Sequence, residues 1–319
     1  MTALRVHGDT LVSPGQLDFA VNIWPEQRPR RGDGYPDERA ARAAVARRHG
    51  RDPSEVLLTN GACEAFWLFA HALRPRRAAC VHPSFTEPEA ALRAAGCEVT
   101  RVFREPGSWR LDPEHIPRDV DVVVIGNPDN PTGHLERTSE LVAPGRLLVV
   151  DESFIDFVPD ERETLAHRSD VVVVRSLTKL WSLAGVRAGY VLAPSELVAQ
   201  LEEHRQPWSV NALACAALAH CAADAETPRR VAAEVTVARR ELEDALARIP
   251  CVTHVWPIAA SFLLLRVTDG PAVVGHLGAR GIAVRPASSF PGLDADHLRV
   301  AVRQPGDNQT LVDALLEIR

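Results

Sequence analysis

Seven short apolar runs lie ahead of residue 200, at 56–59, 78–82, 99–103, 120–126, 147–151, 171–175 and 189–193. Turn residues bound each of them, and stretches with helical spacing fall between several, at 63–73, 87–95 and 139–142. A further helix is expected over 38–49, with Asp37 as its N-cap. Val/Ile/Leu-rich runs that alternate with helices predict a mostly parallel sheet buried on both faces. After Pro207 the pattern changes. An Ala-rich helix is expected at 211–222. The next helix carries Val231, Val235, Ala238, Leu242, Leu246 and Ile249 three or four residues apart, which makes one face apolar. Strands at 261–267, 282–285 and 297–302 then alternate with helices at 271–279 and 308–318. The reading is an α/β protein in three parts: an N-terminal arm (1–30) packed on a neighbour, a large seven-stranded domain (31–207), and a smaller α+β domain (208–319).

Composition narrows the function. A chain of 319 residues, 46% hydrophobic, can bury cores of this size. A net charge of −6 argues against nucleic-acid and anionic-membrane partners. The arginine clusters at 28–31 and 74–77 read as solvated surface. No stretch reads as a signal peptide or spans a bilayer. The six cysteines are scattered without metal spacing, and Cys80 and Cys97 read as small buried hydrophobes. No metal is expected, and the compartment is read as the reducing cytoplasm.

The chemistry concentrates on loops after the apolar runs, where open α/β sheets bind ligands. In Arg175-Ser176-Leu177-Thr178-Lys179, a lysine follows a serine by three residues, and Arg187 and Gly189 come eight and ten later. An uncharged amine forms a Schiff base with an aldehyde, while a hydroxyl and a guanidinium suit a phosphate. Lys179, Ser176 and Arg187 thus describe a lysine beside a phosphorylated aldehyde, pyridoxal 5′-phosphate; alone, the run also fits a loop with a surface lysine. Thr59-Asn60-Gly61-Ala62-Cys63-Glu64 joins a strand to a helix, and the backbone N–H groups of Gly61, Ala62 and Cys63 offer a phosphate cradle. Asp151 ends a buried strand and needs a partner, which a protonated pyridine nitrogen supplies; the cationic ring then stores electrons. Asn127-Pro128-Asp129-Asn130-Pro131-Thr132-Gly133 is a rigid non-helical loop. Arg299 alternates with apolar neighbours, on one strand face with Arg303.

These strings resemble the class I and II aminotransferases and their relatives of pyridoxal-phosphate fold type I, over nearly the whole chain. The resemblance implies that Asn130 bonds the cofactor's phenolic oxygen and that Phe85, in His82-Pro83-Ser84-Phe85, stacks on its ring, although a core aromatic is the alternative there. Tyr35 matches a tyrosine that reaches the partner subunit's cofactor phosphate, or is a turn aromatic; the first implies a homodimer. Arg299 matches the arginine that clamps the substrate carboxylate, with Arg303 as candidate for a substrate phosphate. Phe154 stands where most relatives carry a tyrosine bonded to the phenolic oxygen. The segment Leu17-Asp18-Phe19-Ala20-Val21-Asn22-Ile23-Trp24-Pro25 resembles that of L-threonine-O-3-phosphate decarboxylases of the cobalamin pathway, and puts Asn22 at the substrate. The leading expectation is therefore decarboxylation of a small phosphorylated amino acid, with transamination of the histidinol-phosphate type as the alternative. A catalytically dead binding module would lack Lys179 or Asp151. A nicotinamide enzyme would need a Gly-x-Gly-x-x-Gly turn, which the chain does not have.

Overall fold

The computed structural model describes residues 15–19 and 36–318. Strand β1 (Leu17–Asp18) and helix α1 (Arg39–His49) come first. The large sheet then takes β2 (Val56–Asn60), β3 (Arg77–His82), β4 (Glu98–Phe103), β5 (Val122–Gly126), β6 (Leu147–Asp151), β7 (Val172–Ser176) and β8 (Ala188–Leu192), in the order β2-β8-β7-β6-β5-β3-β4. Pairing is parallel from β7 to β4, and antiparallel where β8 meets β7 and β2. Six strands thus end at one edge of the sheet, and β8 starts there. This is the α/β architecture that the seven apolar runs predict.

Both faces are covered, which is why the central strands are apolar throughout. α1 and α5 (Ala212–Ala223) lie on one face, with Ala41, Val45, Ala214 and Leu218 in its core. α2 (Ala62–Leu73), α3 (Glu87–Ala94) and α4 (Ser195–His204) cover the other through Phe66, Phe69, Leu92 and Leu201. α5 lies past residue 207, yet its buried side chains belong to the large core. Asn211 starts it by accepting the Ala214 N–H at 2.9 Å, a cap worth about 1 kcal/mol. At α1, Asp37 takes the Arg39 N–H at 3.0 Å, while Glu38 occupies the cap position without a side-chain bond to the helix backbone.

The remaining chain forms α6 (Glu226–Leu246), β9 (Val252–Trp256), β10 (Phe262–Val267), α7 (Gly270–Ala279), β11 (Ile282–Ala283), β12 (Arg285–Pro286), β13 (His297–Ala301) and α8 (Pro305–Leu316). An antiparallel sheet, β12-β13-β10-β9, packs on the helices with Val235, Leu242, Leu263, Val300 and Leu311 in the core. Its other face meets the large domain, where Trp256 donates its Nε1–H to the Gly107 carbonyl at 2.8 Å and packs on Trp109. Among the described residues, no helix is long and apolar enough to cross a membrane.

The structure departs from expectation in four places. Residues 139–142 form part of a 3-10 turn, Thr138–Leu141, because four residues cannot sustain α-helical bonding. Strand 282–285 is two strands divided at Val284, β11 pairing with β1 and β12 with β13. α4 and β9 were not expected at all. Residues 15–19 of the arm pack within their own chain: β1 pairs with β11, and Phe19 is fully buried in the core that also holds Phe154 and Phe262. The Phe19 N–H reaches the Ala283 carbonyl at 2.8 Å, and its carbonyl accepts the Ala301 N–H at 3.1 Å. Two strand edges that would otherwise bury unpaired backbone groups are thereby satisfied.

Candidate active site

A cavity of about 120 Å³ opens at the sheet edge where β5, β6 and β7 end. It brings together Ala62, Cys63, Phe85, Asn130, Asp151, Ser176, Lys179 and Arg187, eight of the residues singled out by the sequence, from six separate segments. A larger cavity of about 680 Å³, between the end of α1 and the start of α6, contains none of those residues.

One end of the smaller cavity is a cradle for an anion. Gly61 precedes α2 with φ +73°, a backbone state that disfavours any side chain. A Cβ there would collide with the Arg187 guanidinium, 2.9 Å from its Cζ. No side chain caps α2, so the N–H groups of its first turn, Ala62 and Cys63 among them, lack helical partners and carry the positive end of the helix dipole. Gly189 faces this turn closely, since a Cβ on it would lie 2.9 Å from the Ala62 nitrogen. Arg187 enters from the start of antiparallel β8, held by a bond from Nη1 to the Ala184 carbonyl at 3.1 Å. Ser176 accepts the Thr178 N–H at 3.1 Å, and Thr178 itself lines the cavity. The Cys63 thiol is pushed up to about 11, mainly by burial and next by Glu87, so it stays protonated.

Asp151, which also lines the cavity, closes β6. Its Oδ1 accepts the Ser153 N–H at 3.0 Å and the Ser153 hydroxyl. Burial raises its pKa, against the Ser153 bonds and the Lys179 charge. A buried carboxylate in that state gains from a cationic partner. Lys179 lines the same cavity, its Nζ 5.4 Å from the centre of the buried Phe154 ring. Burial, then the Arg299 charge, lowers the amine to about 8. About one amine in ten is then uncharged at pH 7.

The loop after β5 is fixed from within. The Asn127 amide bonds both the N–H and the carbonyl of Glu136, at 2.8 and 3.0 Å. Asp129 accepts the Thr132 hydroxyl at 2.7 Å. Asn130 is thereby presented to the cavity, and its Oδ1 accepts from Arg299 Nη1 on β13. Phe85 is half-buried and packs against the large core.

Arg285 was missed by the sequence reading. It pairs with Arg299 across β12 and β13, so the two side chains leave one face of the small sheet side by side. Its Nη2 donates to Ser289 Oγ at 2.7 Å, its Cζ lies 5.0 Å from the Phe290 ring, and burial lowers it to about 10. The signal lay in the strand pairing, which sequence alone does not print. Arg303 falls beyond the end of β13, not on the Arg299 face of the strand. Its backbone N–H and carbonyl are held by Asn308 at 2.9 Å each. Thr178, Ser84 and Ser153 line the cavity and were likewise given no role; hydroxyls inside already recognised motifs were the available sign. Tyr35 and Asn22 lie outside the described residues.

The family model for aminotransferase class I and II matches residues 26–315. The chain belongs to the class I and II aminotransferases. A histidinol-phosphate aminotransferase of Mycobacterium tuberculosis is 44% identical over 95% of this chain and 88% of its own length. A threonine-phosphate decarboxylase of Salmonella typhimurium is 33% identical over 96% and 92%. The crystal structure of histidinol-phosphate aminotransferase from Clostridium acetobutylicum superposes with a TM-score of 0.87 at 24% identity, over 94% of this chain and 98% of that one, and shares its fold. Enzymes of this aminotransferase family work with pyridoxal 5′-phosphate, and the residues present fit it: an uncapped helix start with a hydroxyl and a guanidinium for the phosphate, a buried carboxylate for the ring nitrogen, and a weakly basic lysine lining the same cavity. Bound there, the cofactor supplies an electron-withdrawing ring beside the substrate's α-carbon. With the cofactor bound, Asp151 would hold positive charge on that ring, Asn130 would meet its oxygen side, and Lys179, whose amine burial makes less basic, would move protons at the α-carbon.

Proposed function

We propose that this chain transaminates a small amino compound carrying a phosphate monoester, as histidinol-phosphate aminotransferases do, and that it works as a cytoplasmic homodimer. The observation that carries the proposal is the pair Arg299 and Arg285, opposite each other on β13 and β12, with Arg299 bonded to Asn130. Two buried guanidiniums on one face suit two anionic groups of a single ligand, or one phosphate held by both. The sequence led with decarboxylation. The greater identity to proteins named histidinol-phosphate aminotransferase, 44% against 33%, turns the order round. Free cysteines throughout the described chain support a reducing compartment, and the match of Tyr35 to an intersubunit residue supports the dimer.

Decarboxylation stays as the second reading because Phe154, and not a tyrosine, lines the cavity. Which bond breaks depends on whether the carboxylate or the hydrogen stands perpendicular to the cofactor ring. Incubating the purified protein with histidinol phosphate plus 2-oxoglutarate, and separately with threonine phosphate, decides between them. Glutamate formation from the first mixture is the expected result. Release of CO2 from the second, without glutamate from the first, overturns it.

A further inference from the structure

Asp151 and Ser176 reach the cavity from neighbouring strands. The register pairs Asp151 with Val174, and the last backbone bond between the two chains, among the described residues, runs from the Glu152 N–H to the Val174 carbonyl at 2.9 Å. Beyond it the β6 chain turns away, with the Ile155 N–H bonded back to the Glu152 carbonyl. Side chains alternate across a strand. With Asp151 and Ser176 on the cavity face, their neighbours Glu152 and Arg175 point to the opposite face, where both are buried.

There the Arg175 guanidinium makes four side-chain bonds. Nε donates to Glu152 at 2.9 Å, Nη1 to Asp156 at 3.2 Å, and Nη2 to Glu161 at 2.8 Å and Thr164 at 2.9 Å. Glu152 also accepts the Leu165 N–H and the Thr164 hydroxyl, each at 2.7 Å. Replacing a buried ion pair with well-packed apolar side chains is often neutral for stability, or better. Stability alone therefore gives no reason to place so many charges here. A planar fork gripped by four partners does fix geometry. One cofactor has its ring nitrogen and its phosphate at the two ends of a single compact molecule. The carboxylate and the hydroxyl that hold those ends must therefore keep a set separation, within about 0.5 Å.

We propose that Arg175 and Glu152 are positioning residues: their buried pair locks the end of β6 to the end of β7 and so sets the spacing between Asp151 and Ser176. The proposal rests on the cofactor site and not on the choice of substrate.

Glu152→Gln tests it, since the amide keeps the shape and removes the charge from the fork. Three quantities are read: the dissociation constant for pyridoxal 5′-phosphate on the apo-protein, the pH midpoint of the bound cofactor's visible band, and kcat and KM in steady state. Leu246→Ala, in the small-domain core, serves as a control for general destabilisation. The expected outcome for Glu152→Gln is a dissociation constant about tenfold higher, because a displaced Asp151 or Ser176 weakens one charged hydrogen bond to the cofactor. The midpoint should be displaced, and kcat lowered about tenfold with KM little changed. Leu246→Ala should lower the melting temperature and leave the other readings in place. If Glu152→Gln loses melting temperature but matches the control in affinity, midpoint and kcat, the pair is structural only. Should that variant fail to fold, Glu152→Asp decides, because it keeps the charge and draws the carboxylate back from the Arg175 fork. An unchanged cofactor affinity there overturns the proposal. Failure of the wild-type protein to bind pyridoxal 5′-phosphate would be a different result, against the cofactor site itself.

Discussion

The low basicity of Lys179 has a consequence for stability that needs no turnover to observe. In the unfolded chain the amine has its ordinary value of 10.5, and in the folded protein about 8. Below pH 8 it is protonated in both states, and the fold bears the full penalty of holding the charge inside. Between pH 8 and 10.5 the folded protein releases the proton while the unfolded chain keeps it, so stability rises with pH. Above 10.5 both are neutral and the penalty is gone. At 1.36 kcal/mol per pH unit, the full penalty is about 3 kcal/mol. Lys179→Met removes the charge and preserves the length of the side chain. The apo-protein of this variant should therefore be more stable than wild-type apo-protein by about 3 kcal/mol at pH 7 and by about half that near pH 9.5. Denaturant unfolding of both proteins at the two pH values measures the difference, and groups that titrate alike in both cancel. A variant that is no more stable at pH 7, or whose advantage is the same at both pH values, would show that the interior does not disfavour the ammonium.

Gly61→Ala combines a left-handed backbone, costing about 1–2 kcal/mol, with a methyl group driven against Arg187. Equilibrium titration should show cofactor affinity lowered at least about tenfold, as loss of one charged hydrogen bond requires; unaltered affinity would remove Arg187 from the phosphate cradle. Asp151→Asn should bind the cofactor but turn over far more slowly, because a neutral partner does not hold charge on the ring; wild-type kcat would end that assignment. Phe154→Tyr places a hydroxyl on a ring that lines the cavity, and the pH midpoint of the bound cofactor's visible band should fall; a constant or higher midpoint means the new hydroxyl does not reach the ring oxygen. Arg285→Ala should raise KM for phosphorylated substrates far more than for unphosphorylated analogues, and equal effects on both would make Arg285 a structural residue.

How much of this could be read from sequence depended on whether the information was local. β2 to β8, apart from the largely exposed edge strand β4, are runs whose apolar character reflects burial on both faces, and all seven were legible to within a residue or two. α6 was legible because Val231, Val235, Leu242 and Leu246 keep helical spacing over about four turns. α4 escaped because only Val198 and Leu201 among its ten residues are buried, too few to mark a period. β9 escaped because His254 and Thr253 face out among short apolar neighbours. Strand 282–285 looked continuous because a change of pairing partner at Val284 leaves no trace in the side chains.

The site follows the same rule, with one instructive exception. Lys179, Asp151, Asn130 and Gly61 each sit in a string whose local chemistry is unusual, and the sheet collects them at one edge because the loops after parallel strands must emerge there. Arg187 arrives differently. It precedes the one strand that runs against the others, and reversal of β8 is what brings its first residues, and not its last, to the cavity. Had β8 been parallel, the Arg187 side chain would stand at the far edge, a strand's length from Ser176. The motif places the arginine eight residues after the lysine; the antiparallel turn makes that interval a short path between two cavity walls. Arg285 shows the opposite case. Nothing around it in the sequence signals a ligand, and its importance comes from a partner fourteen residues away on a neighbouring strand. A residue whose role is defined by a cross-strand neighbour becomes visible only when the register is known. On the proposed function, substrate preference would follow from the small sheet, while the cofactor contacts would come from strings that the sequence displays directly.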